Sequence, residues 1–411
     1  MPVHPKNFNP ADLGPLAGLR VLDMSRLVAG NMLTLQLADF GAEVIKVESP
    51  GRGDAMRHWG HHRYKDRSLW WPVLARNKKT ISANLREERG QDLVRRLVGQ
   101  ADVLVENFKP GTLEKWGLDP DSLHLINPGL IIARVSGFGQ TGPYSSRPGF
   151  ASVGEAMGGL RYINGFPDQP PPRTGISLGD SLAGMFATQG VLMALYWRDT
   201  IGKGKGQVVD ASITESCFAM MESALPEFDK VGFIRQPSGT GLANVSPSNI
   251  FPTKDEKWVV IAANLDPMFK RLCDAMEQPE LANDPRYVTH QARGENCDEL
   301  DARIAEWTRE FTATELDVRL DQHGVVSGPI YSIEDIVNDP HYQARDMIQR
   351  YPDDELGEIA VPGFVPVLSE TKSETAWLGP SEVGAHNEEV YCGLLGMTQT
   401  ELQELKNDGI I

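Results

Sequence analysis

Asp180 lies in the stretch Arg173–Phe186, RTGISLGDSLAGMF, directly after Gly179 and four residues before Gly184. Glycines on both sides let a second molecule approach a carboxylate closely, because no side chains block it. A carboxylate so placed can act as a covalent nucleophile. The same position, at the start of an apolar run, also suits a helix N-cap. Spacing alone leaves both readings open. Other candidates offer less. His58, His61 and His62 form HWGHH, but no acidic or cysteine ligand sits at useful spacing, so a solvated loop and no metal site is expected. GFGQTG (Gly137–Gly142) departs from GxGxxG and follows a fourth strand rather than a first, which gives a dinucleotide site little support. There is no GxSxG elbow. The Gly-Lys repeat at 202–206 lacks the P-loop pattern and precedes a strand, so it reads as a turn. Lys78, Lys79, Arg86 and Lys115 are either phosphate partners or surface cations.

These residues need a scaffold, and the composition bounds it. At 411 residues the chain is too long for one ordinary core, which suggests one large and one smaller domain. Cys217, Cys273, Cys297 and Cys392 are too few and too far apart for a disulfide framework or CxxC site; they read as reduced thiols in a cytoplasmic protein. No signal peptide is visible in the opening residues MPVHPKNFNPADLGPL. No run reaches about 18 apolar residues, and the best candidate, GMFATQGVLMALYW, reads as a buried helix. A net charge of −16 argues against nucleic acid as a partner. From Gly41 to Pro120, however, 15 Lys and Arg face 11 Asp and Glu. A locally basic segment in an acidic chain is either a small polyanion site or a mixed-charge surface.

The first 150 residues alternate strand-length apolar runs (LRVLDMS, AEVIKVES, ADVLVENF, GLIIARVSGFG) with helical patterns (NMLTLQLADFG, REERGQDLVRRLVGQ). This predicts an α/β fold with a parallel, doubly wound, Rossmann-like sheet, its ligands at the carboxyl ends of the strands. A long helix is expected from Asp180 to about Trp197, then a glycine turn, a strand and another helix. Composition turns loop-like over 227–252, around RQPSGTGLANVSPSN. A strand-helix pattern then restarts at KWVVIAANLDPMFKRLCDAM. We expect a large domain from 1–227 and 326–411, and a smaller α+β domain at 228–325.

The stretch PLAGLRVLDMSRLVAGNMLTLQLADFGAEVIKVESPGRGDAMR resembles the opening of the class III CoA-transferases, the formyl-CoA and carnitine CoA-transferase family. ARNKKTISANL, ADVLVENFKPGTLEKWGL, GFGQTGPYSSRPGF, LGDSLAGMFA, GKGKGQVVDASITES, GVVSGPIYSIEDIVNDP and LGPSEVGAHNEEV continue it in order over nearly the whole chain. The resemblance implies a large doubly wound domain built from both chain ends, a small domain, and two chains interlocked as rings in a homodimer. It implies no resident cofactor, with coenzyme A and acyl-CoA bound as substrates. It assigns the nucleophile to Asp180, which would form an aspartyl anhydride and then an aspartyl-CoA thioester. Val28 and Ala29 take the place of the family's oxyanion donors, although many relatives have Gln where Val28 stands. CoA contacts fall on Ala83, Asn84, Leu85 and Arg86, on Asn107, Phe108 and Lys109, on Lys115, and on Arg147 to Phe150. Ser49 stands where one relative has an arginine. The loop Ser238–Asn244, with Gly239 and Gly241, matches a glycine loop that covers bound intermediates.

Two further readings share this resemblance. An acyl-CoA racemase or epimerase would pair the aspartate with a histidine, but Phe150 stands in that place and one base is missing. A non-catalytic acyl-CoA binder would have lost the aspartate. The form of GFGQTGP and VPGFVPVLSET is similar to the dicarboxylate-using branch, so succinyl-CoA and a dicarboxylic acid are the expected substrates. A second carboxylate calls for an arginine, and Arg26, Arg52, Arg57 and Arg235 are candidates.

Overall fold

The computed structural model describes residues 14–242 and 244–411. Residues 1–13, most of the stretch on which no signal peptide is read, and Ala243 in the glycine loop lie outside them. The chain divides into two compact units. The first comprises Met1–Leu160, Thr174–Ser223 and Pro340–Ile411; the second comprises Arg161–Arg173 and Ala224–Asp339.

The first unit is built on a six-stranded sheet. Its strands are β1 (Arg20–Asp23), β2 (Glu43–Glu48), β3 (Lys78–Ser82), β4 (Val103–Glu106), β5 (Ile131–Ser136) and β6 (Val208–Ser212), in the order β3-β2-β1-β4-β5-β6. All five pairings are parallel, with Val21 opposite Val44 on one side and Val103 on the other. Parallel strands covered on both faces need apolar side chains in both directions. β1, β4 and β5 supply them, with Val21, Leu22, Val103, Leu104, Val105, Ile131 and Ile132 all buried. The strand order reverses between β1 and β4, and the crevice at that switch point is where such sheets bind ligands.

Helix α1 (Leu27–Asp39) follows β1, and α2 (Glu88–Val98) crosses from β3 to β4. α3 (Ala151–Met157) and α4 (Leu178–Thr200) precede β6, and α5 (Ile213–Phe218) follows it. One core face packs Leu93, Val94 and Leu97 of α2 with Tyr391, Leu405 and Ile410. The other packs Ala29, Leu33 and Leu37 of α1 with Ala183, Ala187 and Val191 of α4.

β3 is not among the strands expected from the sequence pattern, because Lys78 and Lys79 read as surface cations. It is also a sheet edge, and the C-terminal segment covers it. Thr80 N–H donates to His386 Nδ1 (3.0 Å), His386 N–H to Thr80 O (2.9 Å) and Tyr391 OH to Ser82 O (2.8 Å). Satisfying edge groups in this way protects a strand from stray pairing.

α4 differs from the buried helix expected. It runs for 23 residues, and by length and composition it could cross a membrane, yet 44% of its apolar window is buried inside the protein. One face is core. The other leaves Met185, Phe186, Met193, Tyr196 and Trp197 exposed.

The second unit holds a three-stranded antiparallel sheet, β7 (Ser248–Pro252), β8 (Trp258–Ala262) and β9 (Ser327–Pro329), with β8 central. Helices α6 (Asp266–Ala275), α7 (Cys297–Thr308) and α8 (Ala313–Gln322) enclose a core of Phe269, Leu272, Leu300, Ile304 and Leu316. Part of the stretch expected to be loop is therefore ordered: Ala224–Val231 is helical and Ser248–Pro252 is β7. Pro252 and the flanking Ser and Asn disguise that strand, and an edge strand tolerates its proline.

Candidate active site

Asp180 is the third residue of α4, so it is not the N-cap; Ser177 holds that position and makes no side-chain cap bond. Glu155 of α3 caps the helix instead. Its Oε1 accepts the Gly179 N–H (3.1 Å) although the residue is almost fully buried. Gly179 permits this approach, since a Cβ there would lie 3.2 Å from Glu155 Cγ. A carboxylate in a first turn is favoured by the unpaired amides, and Asp180 is half-buried there.

α4 and α1 run side by side in the same direction. A Cβ on Gly184 would meet Ala29 O and Met32 Cβ at 2.9 Å, and Thr188 Oγ1 donates to Leu33 O (3.5 Å). Asp180, one turn before Gly184, is therefore level with the start of α1. The two helix beginnings sit together. Val28 and Ala29 belong to that first turn of α1 and are buried.

The loop after β1 meets the loop after β4 across the switch point. Arg26 N–H donates to Asn107 Oδ1 (2.8 Å), Asn107 Nδ2 donates to Arg26 O (2.6 Å), and the Arg26 guanidinium lies 4.7 Å from the Phe108 ring centre. Ala83–Arg86 follow β3 and Asn107–Lys109 follow β4, so both segments lie at the carboxyl edge of the sheet. Arg86, Lys109, Lys115 and Arg147 are exposed, and none is ion-paired among the described residues. Arg147 stacks on Tyr144 (3.8 Å) and Phe150 is largely exposed.

The other cations are committed elsewhere. Lys78 is no phosphate partner: it is fully buried and donates to Thr34 Oγ1 (2.7 Å), Asn31 Oδ1 (3.0 Å) and Asp23 Oδ2 (3.4 Å). Burial pushes its ammonium down to about 8, with Asp23 opposing. Lys79 bridges Glu43 and Glu389, both at 2.7 Å. Arg57 is no substrate arginine either. It is buried, grips Glu48 with two bonds, donates to Pro380 O and Ser381 O, and lies over Trp71. Arg235 pairs with Glu227 (3.0 Å). Arg26 and Arg52 remain exposed.

Acids ending the strands tie down the loops that follow. Asp23 Oδ1 accepts Ser25 N–H (2.9 Å), Glu48 Oε1 accepts Asp54 N–H (2.7 Å) and Glu106 Oε2 accepts Phe108 N–H (2.7 Å). Reasoning from sequence missed these acids, and Glu155 too. The only local signal for Glu155 is that the glycine-rich stretch before Asp180 contains few other acids. Buried Cys217 senses the site: burial first, then the Glu155 and Asp180 carboxylates, push its thiol up to about 11.

In the second unit, the loop with Gly239 and Gly241 is tethered. Gly239 has φ +73° and donates its N–H to Gly165 O (2.9 Å). Thr240 Oγ1 donates to Asn249 Oδ1 (2.6 Å), and Asn249 Nδ2 donates to Asp301 (2.8 Å).

Comparison with known proteins fits this geometry. A succinyl-CoA–D-citramalate CoA-transferase of Chloroflexus aurantiacus is 55% identical over 97% of this chain and 98% of its own. The alpha subunit of a succinyl-CoA–L-malate CoA-transferase from that organism is 40% identical over 97% of this chain and 92% of its own. The crystal structure of a CAIB/BAIF family protein from Brucella suis superposes with a TM-score of 0.83 at 32% identity, covering 93% of this chain and all of that one. The family model for CoA-transferase family III matches residues 16–387. The chain belongs to CoA-transferase family III and is an enzyme of that class.

Proposed function

We propose that the enzyme moves CoA from succinyl-CoA to a dicarboxylic acid, with Asp180 as nucleophile. A carboxylate oxygen of Asp180 attacks the thioester carbon, the C–S bond breaks, and an aspartyl anhydride and CoA thiolate form. The thiolate attacks the Asp180 carbonyl of the anhydride, releasing succinate and leaving an aspartyl-CoA thioester. The acceptor carboxylate attacks that thioester and expels the thiolate again. The thiolate then takes the acceptor's acyl carbon and frees Asp180. Each step exchanges a carboxylate for a thiolate, so no proton has to move and no general base is required.

The tetrahedral oxyanions call for fixed donors, which we assign to the amides of Val28 and Ala29; the hydrocarbon side chain of Val28 adds none. Arg86, Lys109, Lys115 and Arg147 take the phosphates of CoA, and Ala83, Asn84, Leu85, Asn107, Phe108 and Phe150 line its path. Of the arginine candidates, Arg26 and Arg52 are the two left for a second carboxylate. The loop of Gly239 and Gly241 covers the intermediates, because an anhydride must be kept from water.

The observation that best supports the reading is that Asp180 opens α4 level with the start of α1, in a unit where the exposed Arg86 and Lys109 follow the carboxyl ends of β3 and β4. The apolar outer face of α4, with Met193 66% and Tyr196 71% exposed, favours a second copy as partner in an interlocked homodimer. We assign the enzyme to the cytoplasm and infer no resident cofactor.

The test is incubation with succinyl-CoA followed by hydroxylamine and peptide mass analysis. A hydroxamate on Asp180 is expected, and none in Asp180→Ala. An acceptor panel of D-citramalate, L-malate, glutarate and oxalate assigns the acid. Wild-type turnover by Asp180→Ala would sink the proposal.

A further inference from the structure

We propose that Asp54 is a positioning residue for the transfer: through Leu27 and Asn31 it holds the start of α1 in a strained turn that aims the Val28 and Ala29 amides. The inference rests on the donor role given above to those two amides.

The strain is at Leu27, whose φ is +61°. A bulky side chain in the left-handed region is an outlier, and such conformations persist only where the surroundings over-determine them. Nine other non-glycine residues described here have positive φ; all nine are polar, and Leu27 is the apolar exception. It is also the residue that turns the chain from the end of β1 into α1, immediately ahead of Val28.

Asp54 and Asn31 supply the over-determination. Asp54 Oδ1 accepts the Leu27 N–H (3.1 Å) and the Met56 N–H (2.9 Å). Asp54 Oδ2 accepts from Asn31 Nδ2 (2.9 Å) and pairs with the Lys46 ammonium (3.0 Å). Asn31 Nδ2 donates as well to Leu27 O (2.5 Å), so both peptide groups flanking Leu27 are held. Asp54, Asn31 and Lys46 are all buried.

The loop that carries Asp54 is itself fixed. Glu48 accepts the Asp54 N–H, and Arg57 locks Glu48. Gly53, with φ +67°, leaves no room for a Cβ, which would fall 2.5 Å from Arg57 Cδ. Asp54 touches no reacting group in this scheme. Releasing it lets Leu27 relax to negative φ and swings the next two amides away from Asp180.

The test compares Asp54→Asn, alone and with Leu27→Gly. The amide introduced by Asp54→Asn keeps the size of the side chain but turns an NH2 toward two donors, Asn31 Nδ2 and the Lys46 ammonium, and so breaks the clamp. Turnover, and hydroxylamine-trapped Asp180 adduct, should fall on the order of 10²-fold, as for a small misplacement, with KM for succinyl-CoA little changed. Leu27→Gly in the same chain should recover about tenfold, because glycine takes positive φ without a clamp. If Asp54→Asn does not fold, Asn31→Asp, which removes the donor to Leu27 O, must show the same loss and the same recovery. Turnover like wild type in the single variant, or no recovery with glycine, overturns the inference. A wild-type enzyme that turns over without acylating Asp180 sinks the covalent reading alone, and the order of the variants still decides on Asp54.

Discussion

The two units bury charge in opposite ways. In the first, buried ions come in pairs: Lys46 with Asp23 and Asp54, Arg57 with Glu48 and Arg134 with Glu106 toward the carboxyl edge of the sheet, and Arg76 with Asp39 at its other end. In the second, Arg293 is fully buried among carbonyls. It donates to Tyr287 O (2.9 Å), Asn264 O (2.6 Å) and Ser246 O (3.3 Å), and its carboxylate partner, Asp266, is largely exposed. A buried ion pair adds little net stability over apolar packing, because desolvation offsets attraction. Its use at the carboxyl edge is geometric: Asp23, Glu48 and Glu106 fix loops where chemistry is proposed. Arg293 instead gathers three stretches of chain in a domain otherwise held by its apolar core.

The largest effect that sharpens this contrast is at Asp180. Asp180→Ala should lower turnover by on the order of 10³-fold or more, as loss of a nucleophile does, with thermal unfolding little changed. Next come the buried ions. Lys46→Met leaves two carboxylates buried without their shared cation, and about 3–5 kcal/mol of stability should be lost. Arg293→Met leaves unpaired carbonyls but an exposed carboxylate, and the loss should be nearer about 1–3 kcal/mol. Urea unfolding measures both, and the reverse order would break the comparison.

Gly184→Ala tests the helix contact. Its Cβ would meet Ala29 O and Met32 Cβ at 2.9 Å, whereas Gly393 has nothing within 4 Å. Overpacking should cost about 1–3 kcal/mol at Gly184 and less than about 0.5 kcal/mol at Gly393. Because Gly184 lies one turn past Asp180, kcat should fall more than KM rises.

Much of the first unit was legible because its strands are apolar runs and its helices amphipathic. β1, α1, β2, α2, β4 and β5 follow from periodicity alone. β3 did not, since Lys78 reads as a surface cation until Asp23, Asn31 and Thr34, which lie 44 or more residues away in the chain, are seen to surround it. Distance in sequence also hid the roles of Asp54 and Glu155: Leu27 and Asn31 lie 23 or more residues from Asp54, and Gly179 lies 24 from Glu155. Asp180 is a different case. Spacing offered a cap or a nucleophile, and the fold excludes only the cap, because Ser177 precedes the helix.

The smallest predicted effect uses one buried thiol from each unit. Burial, with Glu155 and Asp180 added, pushes Cys217 up to about 11; burial, with Asp274 added and Arg293 opposing, pushes Cys273 up to about 12. Each thiol therefore keeps its proton in the folded state after the unfolded chain has lost it. The native state binds more protons above the usual thiol value, near 9, so stability should decline from there as pH rises toward the folded values. Only Cys217 faces the proposed nucleophile. Asp180→Asn removes one of its two negative neighbours and should lower its titration midpoint, read by thiolate absorbance, without moving Cys273. Glu155→Gln, the stronger neighbour, should lower it further. A Cys217 midpoint indifferent to both variants would mean that the carboxylates at the start of α4 do not act on each other's surroundings, and the contrast between a charged first unit and an apolar second one would lose its electrostatic content at the site where it matters most.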